Sequence, residues 1–285
     1  MSPLERDIAR LARGTFREQA RPVRIGLVLS GGGLRGAGHL GVLRQLVANG
    51  VPIDVIVGSS AGAIVAAYYA AVGLSLDELI ADAHSFRGRH LMAHSLNVRL
   101  GHRFDRTLGR LSGVIPGRLE QLKGATFERL HHGIQGIGIV CHDIRTGRPC
   151  YFATGDQRGV RLSGVVRASA SIPYLLPSIE VDEDEERPLV LTDGGVSDCL
   201  PVAFALRPPL SATHVIVSDC RWLPSGPLPE RAGHIIYVRP QLRSTGTLWA
   251  PASTLVSAVF QGSTAVTTEI LHVIRSWCEP MTVTP

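Results

Sequence analysis

Lysine is all but missing. Lys123 is the one lysine among 285 residues, so the basic excess (29 against 24 acidic residues, a formal charge of +5) is carried by arginine. An excess of this size suits loose attraction to an anionic membrane surface or to nucleic acid and establishes neither. Paired cysteines are missing too. Cys141, Cys150, Cys199, Cys220 and Cys278 are odd in number and widely spaced, with no C-x-x-C. That argues against a disulfide framework or a zinc ribbon and for a reducing compartment. Charged residues amount to only 19% against 45% apolar, which excludes a disordered or acidic solvating chain. The opening Met1-Ser2-Pro3-Leu4-Glu5-Arg6-Asp7 holds no apolar segment, so no secretory signal is expected. There are no internal repeats. One uncharged run, residues 55–76, reaches the 22 residues of a membrane span.

What is present is an alternation. Residues 1–23 form an arginine-rich arm or short surface helix with a thin apolar face at Ile8, Leu11 and Phe16. The apolar run Ile25-Gly26-Leu27-Val28-Leu29 reads as a buried strand entering Gly31-Gly32-Gly33-Leu34-Arg35-Gly36. A helix with Leu40, Val42, Leu43, Leu46 and Val47 follows and stops at Asn49-Gly50. A second strand, Ile53 to Val57, ends in Gly58-Ser59-Ser60-Ala61-Gly62 and passes into a helix apolar all round, which Gly73 can end. The membrane-length run thus divides into strand, glycine elbow and buried helix. Ser75-Leu76-Asp77-Glu78 has the form of a capped helix start. Residues 84–133 are mixed and polar. Later strands are expected at Gly136–Val140, Leu189–Leu191, His214–Ser218 and His234–Val238, and one helical stripe at Ser253–Trp277. The acidic run 182–186 reads as a solvated turn. Strands alternating with helices predict an α/β fold with a mostly parallel sheet.

Two loops carry the chemistry. Gly31-x-Gly33-x-x-Gly36 satisfies the dinucleotide fingerprint, with a strand before it and a helix after it. The acidic residue such a site wants at the end of the second strand is absent, since Gly58-Ser59-Ser60 stands there. A nicotinamide or flavin oxidoreductase is weakened but stays open. The loop would hold an anion in either case. Gly58-x-Ser60-x-Gly62 is a G-x-S-x-G elbow: a sharp strand-to-helix turn that lifts a serine hydroxyl above the sheet. The helix N-terminus behind it favours developing negative charge.

Serine needs a base. Asp193 ends the strand Leu189-Val190-Leu191 and precedes Gly194 and Gly195, so it can point into a cleft at the carboxyl edge of the sheet. No histidine is marked as its partner. His214 and His234 head strands and His272 lies on the tail stripe; a triad through one of them stays open. His84, His90, His94 and His102 cluster in sequence without H-E-x-x-H or cysteines, and no metal site is assigned. His39 is read as a packing or capping residue.

Three motifs taken in order, Gly31 to Gly36, Gly58 to Gly62 and Asp193-Gly194-Gly195, resemble the patatin-like phospholipases. Ala37-Gly38-His39-Leu40-Gly41-Val42-Leu43, Asp143-Ile144-Arg145-Thr146-Gly147 and Arg167-Ala168-Ser169-Ala170-Ser171-Ile172-Pro173 are similar as well. The likeness covers about residues 24–221 and leans toward bacterial proteins similar to the catalytic domain of neuropathy-target-type esterases. It implies a three-layer α/β/α patatin-like fold over 24–221, with 222–285 as an extension whose helix packs on the core. It implies Ser60 as nucleophile, Asp193 as general base and an oxyanion hole at Gly31, Gly32 and Gly33, with Arg35 bracing that loop or holding negative charge. Gly36, Gly58, Gly62, Gly194 and Gly195 shape the motifs. No cofactor or metal is implied, and no nucleic acid. The substrate would be a phospholipid, lysophospholipid or other acyl ester, met by a cytoplasmic protein that visits membrane surfaces. An idle lipid-binding module that kept the fold is the other outcome. Asp198 stands where the family often has asparagine and could place a second carboxylate near Asp193.

Overall fold

The computed structural model describes residues 23–278 apart from 102, 104, 157, 182–187, 223–232, 244, 247 and 249–251. The N-terminal arm and the acidic run therefore lie outside the described residues. The elements in chain order begin with β1 (Ile25–Leu29), a short 3-10 turn (Gly33–Gly36), α1 (Ala37–Ala48) and β2 (Val55–Ser59). The elbow leads into α2 (Ala61–Ala66), which widens into a π-helical stretch (Ala67–Val72) and ends at Gly73 in the left-handed conformation (φ 81°). Then come α3 (Leu76–Ser85), α4 (Gly88–Arg99), α5 (Asp105–Leu111) and α6 (Ile115–Leu122). The second half holds β3 (Gly136–Asp143), β4 (Arg148–Ala153), α7 (Leu162–Ser169), β5 (Ile179–Val181), β6 (Leu189–Asp193), α8 (Val202–Leu206), β7 (His214–Ser218), β8 (Ile235–Val238), α9 (Ala252–Thr264) and α10 (Thr268–Cys278).

All eight strands join one sheet, with β3, β2, β1, β7 and β8 parallel in that order. Side chains alternate across it. Leu27, Leu29, Ile56, Ile137, Ile139 and Ile216 face the larger core, packed with α1, α2 and α7. Val28, Val55, Val57, Val140, Val215 and Val217 face a smaller core under α8. Both faces are covered, which is why these strands read as continuous apolar runs. The capped start at Ser75 is a capping box: the Glu78 N–H donates to Ser75 Oγ at 3.3 Å, and the Ser75 N–H donates to Glu78 Oε2 at 2.9 Å.

Three features depart from the sequence expectation. The tail is two helices rather than one stripe, broken at 265–267, where Thr267 caps α10 by accepting from the Leu271 and Ile270 N–H groups. Strand β5 was not foreseen, and neither was β4. Strand β4 folds back on β3 through a turn held by Asp143, whose carboxylate accepts from the Arg145 N–H and the Thr146 hydroxyl at 3.1 and 2.7 Å. Strand β6 runs antiparallel, not parallel, to β3.

That direction brings the site together. β4 pairs with residues 138–143 of β3 along one edge, so β2 and β6 must share the other. Ser59 at the end of β2 pairs with Val140, and Asp193 at the end of β6 pairs with the next residue, Cys141. Two strands arriving head to head on one edge deliver Ser60 and Asp193 to the same point.

Candidate active site

Ser60 sits at that point in a backbone conformation (φ 52°, ψ −119°) that costs a non-glycine residue roughly 1–3 kcal/mol. The crowding around the elbow explains its small residues: a Cβ on Gly62 would stand 2.2 Å from the Leu29 carbonyl oxygen. The Ser60 N–H donates to Ser169 Oγ at 3.0 Å, and the Ser169 hydroxyl donates to the Val140 carbonyl at 2.6 Å. The strained turn is thereby tied to α7 and β3.

The Ser60 hydroxyl donates to Asp193 Oδ2 at 2.6 Å, a short bond of the charge-assisted kind. The other carboxylate oxygen, Oδ1, accepts from the Gly195 N–H at 2.8 Å. Gly194 lets the chain turn there, since a Cβ on it would meet the Val140 carbonyl oxygen at 2.2 Å. Burial pushes the Asp193 carboxyl above the ordinary carboxylate range, and the hydrogen bonds from Ser60 and Gly195 pull against that shift. Asp198 is not among the groups that move it; its own carboxylate accepts from the Tyr151 hydroxyl at 2.9 Å. No histidine among the described residues bonds either group. His214 pairs with Ile25 at the opposite edge of the sheet and packs on Trp277.

The residues expected around the oxyanion divide. Gly31 gives its N–H to the Cys199 carbonyl at 2.9 Å. Gly32 and Gly33 donate to no described acceptor, and Gly33 lines a cavity beside Ser60. Arg35 is buried beneath the loop and bonds carbonyl oxygens only: Cys220 at 2.9 Å, Thr245 at 2.9 Å, Arg221 at 3.2 Å, and Leu242. Its guanidinium also lies 5.1 Å from the Trp222 ring centre. His39 is fully buried behind the same loop, with Nε2 on the Ser30 carbonyl at 2.9 Å and Nδ1 on Ser218 Oγ at 2.7 Å. The carbonyl partner puts the proton on Nε2, and burial pushes the pKa down to about 4, so the ring is neutral. Asp219 follows Ser218 and is held by Arg221 and Arg239 at 2.8 and 3.0 Å.

The cavity at Ser60 has a volume of about 340 Å³, within the usual range for ligand pockets. Its walls are apolar over nearly their whole area, from α2, α3, α4, α6 and the segment after α7. Among the described residues no helix is long and apolar enough to cross a membrane, and no group of three or more His, Cys, Asp or Glu side chains could hold a metal ion.

A family model for patatin-like phospholipases matches residues 27–206, nearly two thirds of the chain. The chain belongs to this family. An uncharacterized NTE family protein of Mycobacterium bovis is 35% identical over 179 residues, covering 62% of this chain and 27% of that protein. The protein named lysophospholipase NTE1 of Kluyveromyces lactis is 32% identical over 215 residues, covering 71% of this chain and 13% of that protein. The chain thus spans 27% and 13% of these two relatives' lengths. Among solved structures, VipD from Legionella pneumophila shares the fold, with a TM-score of 0.54 at 15% identity, over 90% of this chain and 67% of that one.

Within this patatin-like chain, several supporting residues escaped the sequence reading. Ser169 lies in the segment Arg167 to Pro173, whose likeness to the family was its one signal. The carbonyl partners of Arg35 and the pair Asp82–Arg118 carried no local signal, because they are brought from distant parts of the chain.

Proposed function

We propose that this chain is a serine acyl hydrolase acting on lipid esters through Ser60 and Asp193. The 2.6 Å hydrogen bond between them beside an apolar cavity carries this reading. Ser60 Oγ attacks the ester carbonyl carbon while its proton passes to Asp193. The carbonyl oxygen takes the negative charge and lies against the Gly32 and Gly33 N–H groups, worth about 10²–10³ in rate per donor. Collapse breaks the bond to the leaving alkoxide, which takes the proton from Asp193, and leaves an acyl group on Ser60. Water then attacks that acyl carbon with its proton going to Asp193, and the fatty acid departs as Ser60 recovers its proton. The raised pKa of Asp193 brings the base nearer neutral pH, where its proton transfer is most effective.

Family membership supports phospholipid, lysophospholipid or a related acyl ester as substrate. The five unpaired cysteines suit a reducing, cytoplasmic setting. Residues 86–112 supply the meeting with a membrane. They carry six arginines against Asp105, a net charge equal to that of the whole chain. Leu91, His94 and Val98 on one side of α4 line the cavity, while Met92 and Leu96 on the other, and Leu100 just past its end, are exposed. A basic helix with an uncovered apolar stripe at the cavity wall is suited to anionic lipid.

A fluorophosphonate probe with intact-protein mass, alongside p-nitrophenyl butyrate turnover, tests the reading. Wild type is expected to gain one adduct and Ser60→Ala none. Asp193→Asn should lose about 10²–10⁴ in kcat. The acid limb of wild-type kcat/KM should fall above the ordinary carboxylate pKa. A folded wild type with neither adduct nor turnover would overturn the proposal.

A further inference from the structure

The cavity runs along the nucleophile's own helix. Ser60, Ile64 and Tyr68 follow one another at intervals of four residues, and all three line it. At about 1.5 Å per residue, Tyr68 lies about 12 Å from Ser60. There the walls change character. The Arg118 guanidinium holds the Asp82 carboxylate through two bonds, Nε to Oδ2 at 2.6 Å and Nη2 to Oδ1 at 3.1 Å, and Nη1 takes Gln121 Oε1 at 2.8 Å. Both charged residues line the cavity, joining α3 to α6, and both sit in the electrostatic neighbourhood of the Tyr68 hydroxyl. That hydroxyl meets no described acceptor. This polar pair therefore interrupts an otherwise apolar wall about two helical turns from Ser60.

Resting on the hydrolase reading above, we infer that the Asp82–Arg118 pair is a chain-length stop that makes this enzyme selective for medium-chain acyl esters. An acyl carbon bound to Ser60 starts the chain, and an extended alkyl chain with bonds of about 1.5 Å advances roughly 1.25 Å per carbon. Twelve ångströms therefore accommodate about eight to ten carbons. Up to that length each added methylene gains apolar contact, about fourfold in kcat/KM. The next ones must strip the remaining water from an ion pair and offer it nothing in return. The pair is only partly covered, with side chains 20% and 24% exposed, so there is water left to strip.

The test is the profile of kcat/KM for p-nitrophenyl esters from C4 to C14, per active site counted by fluorophosphonate labelling. Wild type is expected to rise steeply to C8–C10 and then level or fall. In Asp82→Leu/Arg118→Leu, which replaces both charges together so that neither is left unpaired, the C14-to-C8 ratio should rise at least tenfold. A second variant guards against misfolding of the first. Ile64→Trp places a stop half-way, at about 6 Å from Ser60, and should bring the break down to about C5–C6. A wild-type profile that climbs through C14, a double variant whose profile superimposes on wild type, or a break that Ile64→Trp leaves in place overturns the inference. These failures differ from failure of the hydrolase reading, which would show as no labelling and no C4 turnover at all.

Discussion

Replacing Arg35 separates bracing from charge at the proposed oxyanion loop. Its guanidinium satisfies four carbonyl oxygens, those of Cys220, Arg221, Leu242 and Thr245, that join the end of β7 to the chain beyond β8. A hydrogen bond to a charged group contributes about 1.5–3 kcal/mol. The four share one guanidinium and are not additive, and some of the carbonyls will take up water once freed. A buried carbonyl left without a donor costs about 1–3 kcal/mol, so with some of the four rehydrated the expected loss for Arg35→Met is roughly 3–5 kcal/mol. At about 2–4 °C per kcal/mol for a chain of this size, the melting temperature should drop by roughly 6–20 °C. Arg35→Lys should recover part of the loss, because an ammonium has three donors and no planar fork. Urea unfolding measures stability, and turnover per labelled Ser60 measures catalysis in the molecules that remain folded. A brace predicts large destabilisation with a smaller loss in turnover per labelled site. If Arg35→Met unfolds with wild type while kcat falls about 10²-fold, the bracing argument is wrong and Arg35 acts on the oxyanion directly.

Two further outcomes follow from buried and surface charge. The folded pKa of His39, about 4, lies below its ordinary 6.5, so the unfolded chain takes the proton first as pH falls. Its contribution should be intact above about pH 6.5 and lost toward pH 4, roughly 3 kcal/mol in all. His39→Gln should flatten the pH dependence of the urea midpoint in that window, and an unchanged slope counts against the neutral-ring assignment. At the surface, Arg89→Gln/Arg103→Gln should weaken binding to vesicles containing anionic phosphatidylglycerol about 30-fold, at about 1 kcal/mol per arginine. Sedimentation with such vesicles that is insensitive to this change would remove residues 86–112 from the membrane contact.

The parts of this protein legible from its sequence are those set by local backbone chemistry. Apolar runs such as Ile25–Leu29 are strands because both sheet faces are covered, and the elbow must carry Gly58 and Gly62 because a Cβ on Gly58 would strike the Gly62 backbone and one on Gly62 the Leu29 carbonyl. Ser75 and Glu78 cap each other within one helical turn. Asp193 stood out for the same local reason, as an acid at a strand end before two glycines. Its distance from Ser60 was beyond such reasoning. Strand direction is a long-range property, and nothing between residues 188 and 195 says that β6 runs antiparallel and meets β2 on one edge of β3. Arg35 illustrates the same limit: its motif position was readable, but the carbonyls it holds lie 185 to 210 residues away. Residues 84–133 resisted reading because their helices have two occupied faces, one toward the cavity and one outward, which blurs the 3.6-residue period. The sequence by itself therefore determined the strands of the parallel core, the elbow and the residues proposed to react, through steric and hydrogen-bonding rules that act within a few residues. Only the tertiary structure decided that Ser60 and Asp193 touch, which loop N–H groups meet no described acceptor beside them, and which side chains line the cavity, because each depends on groups that meet only when the sheet closes.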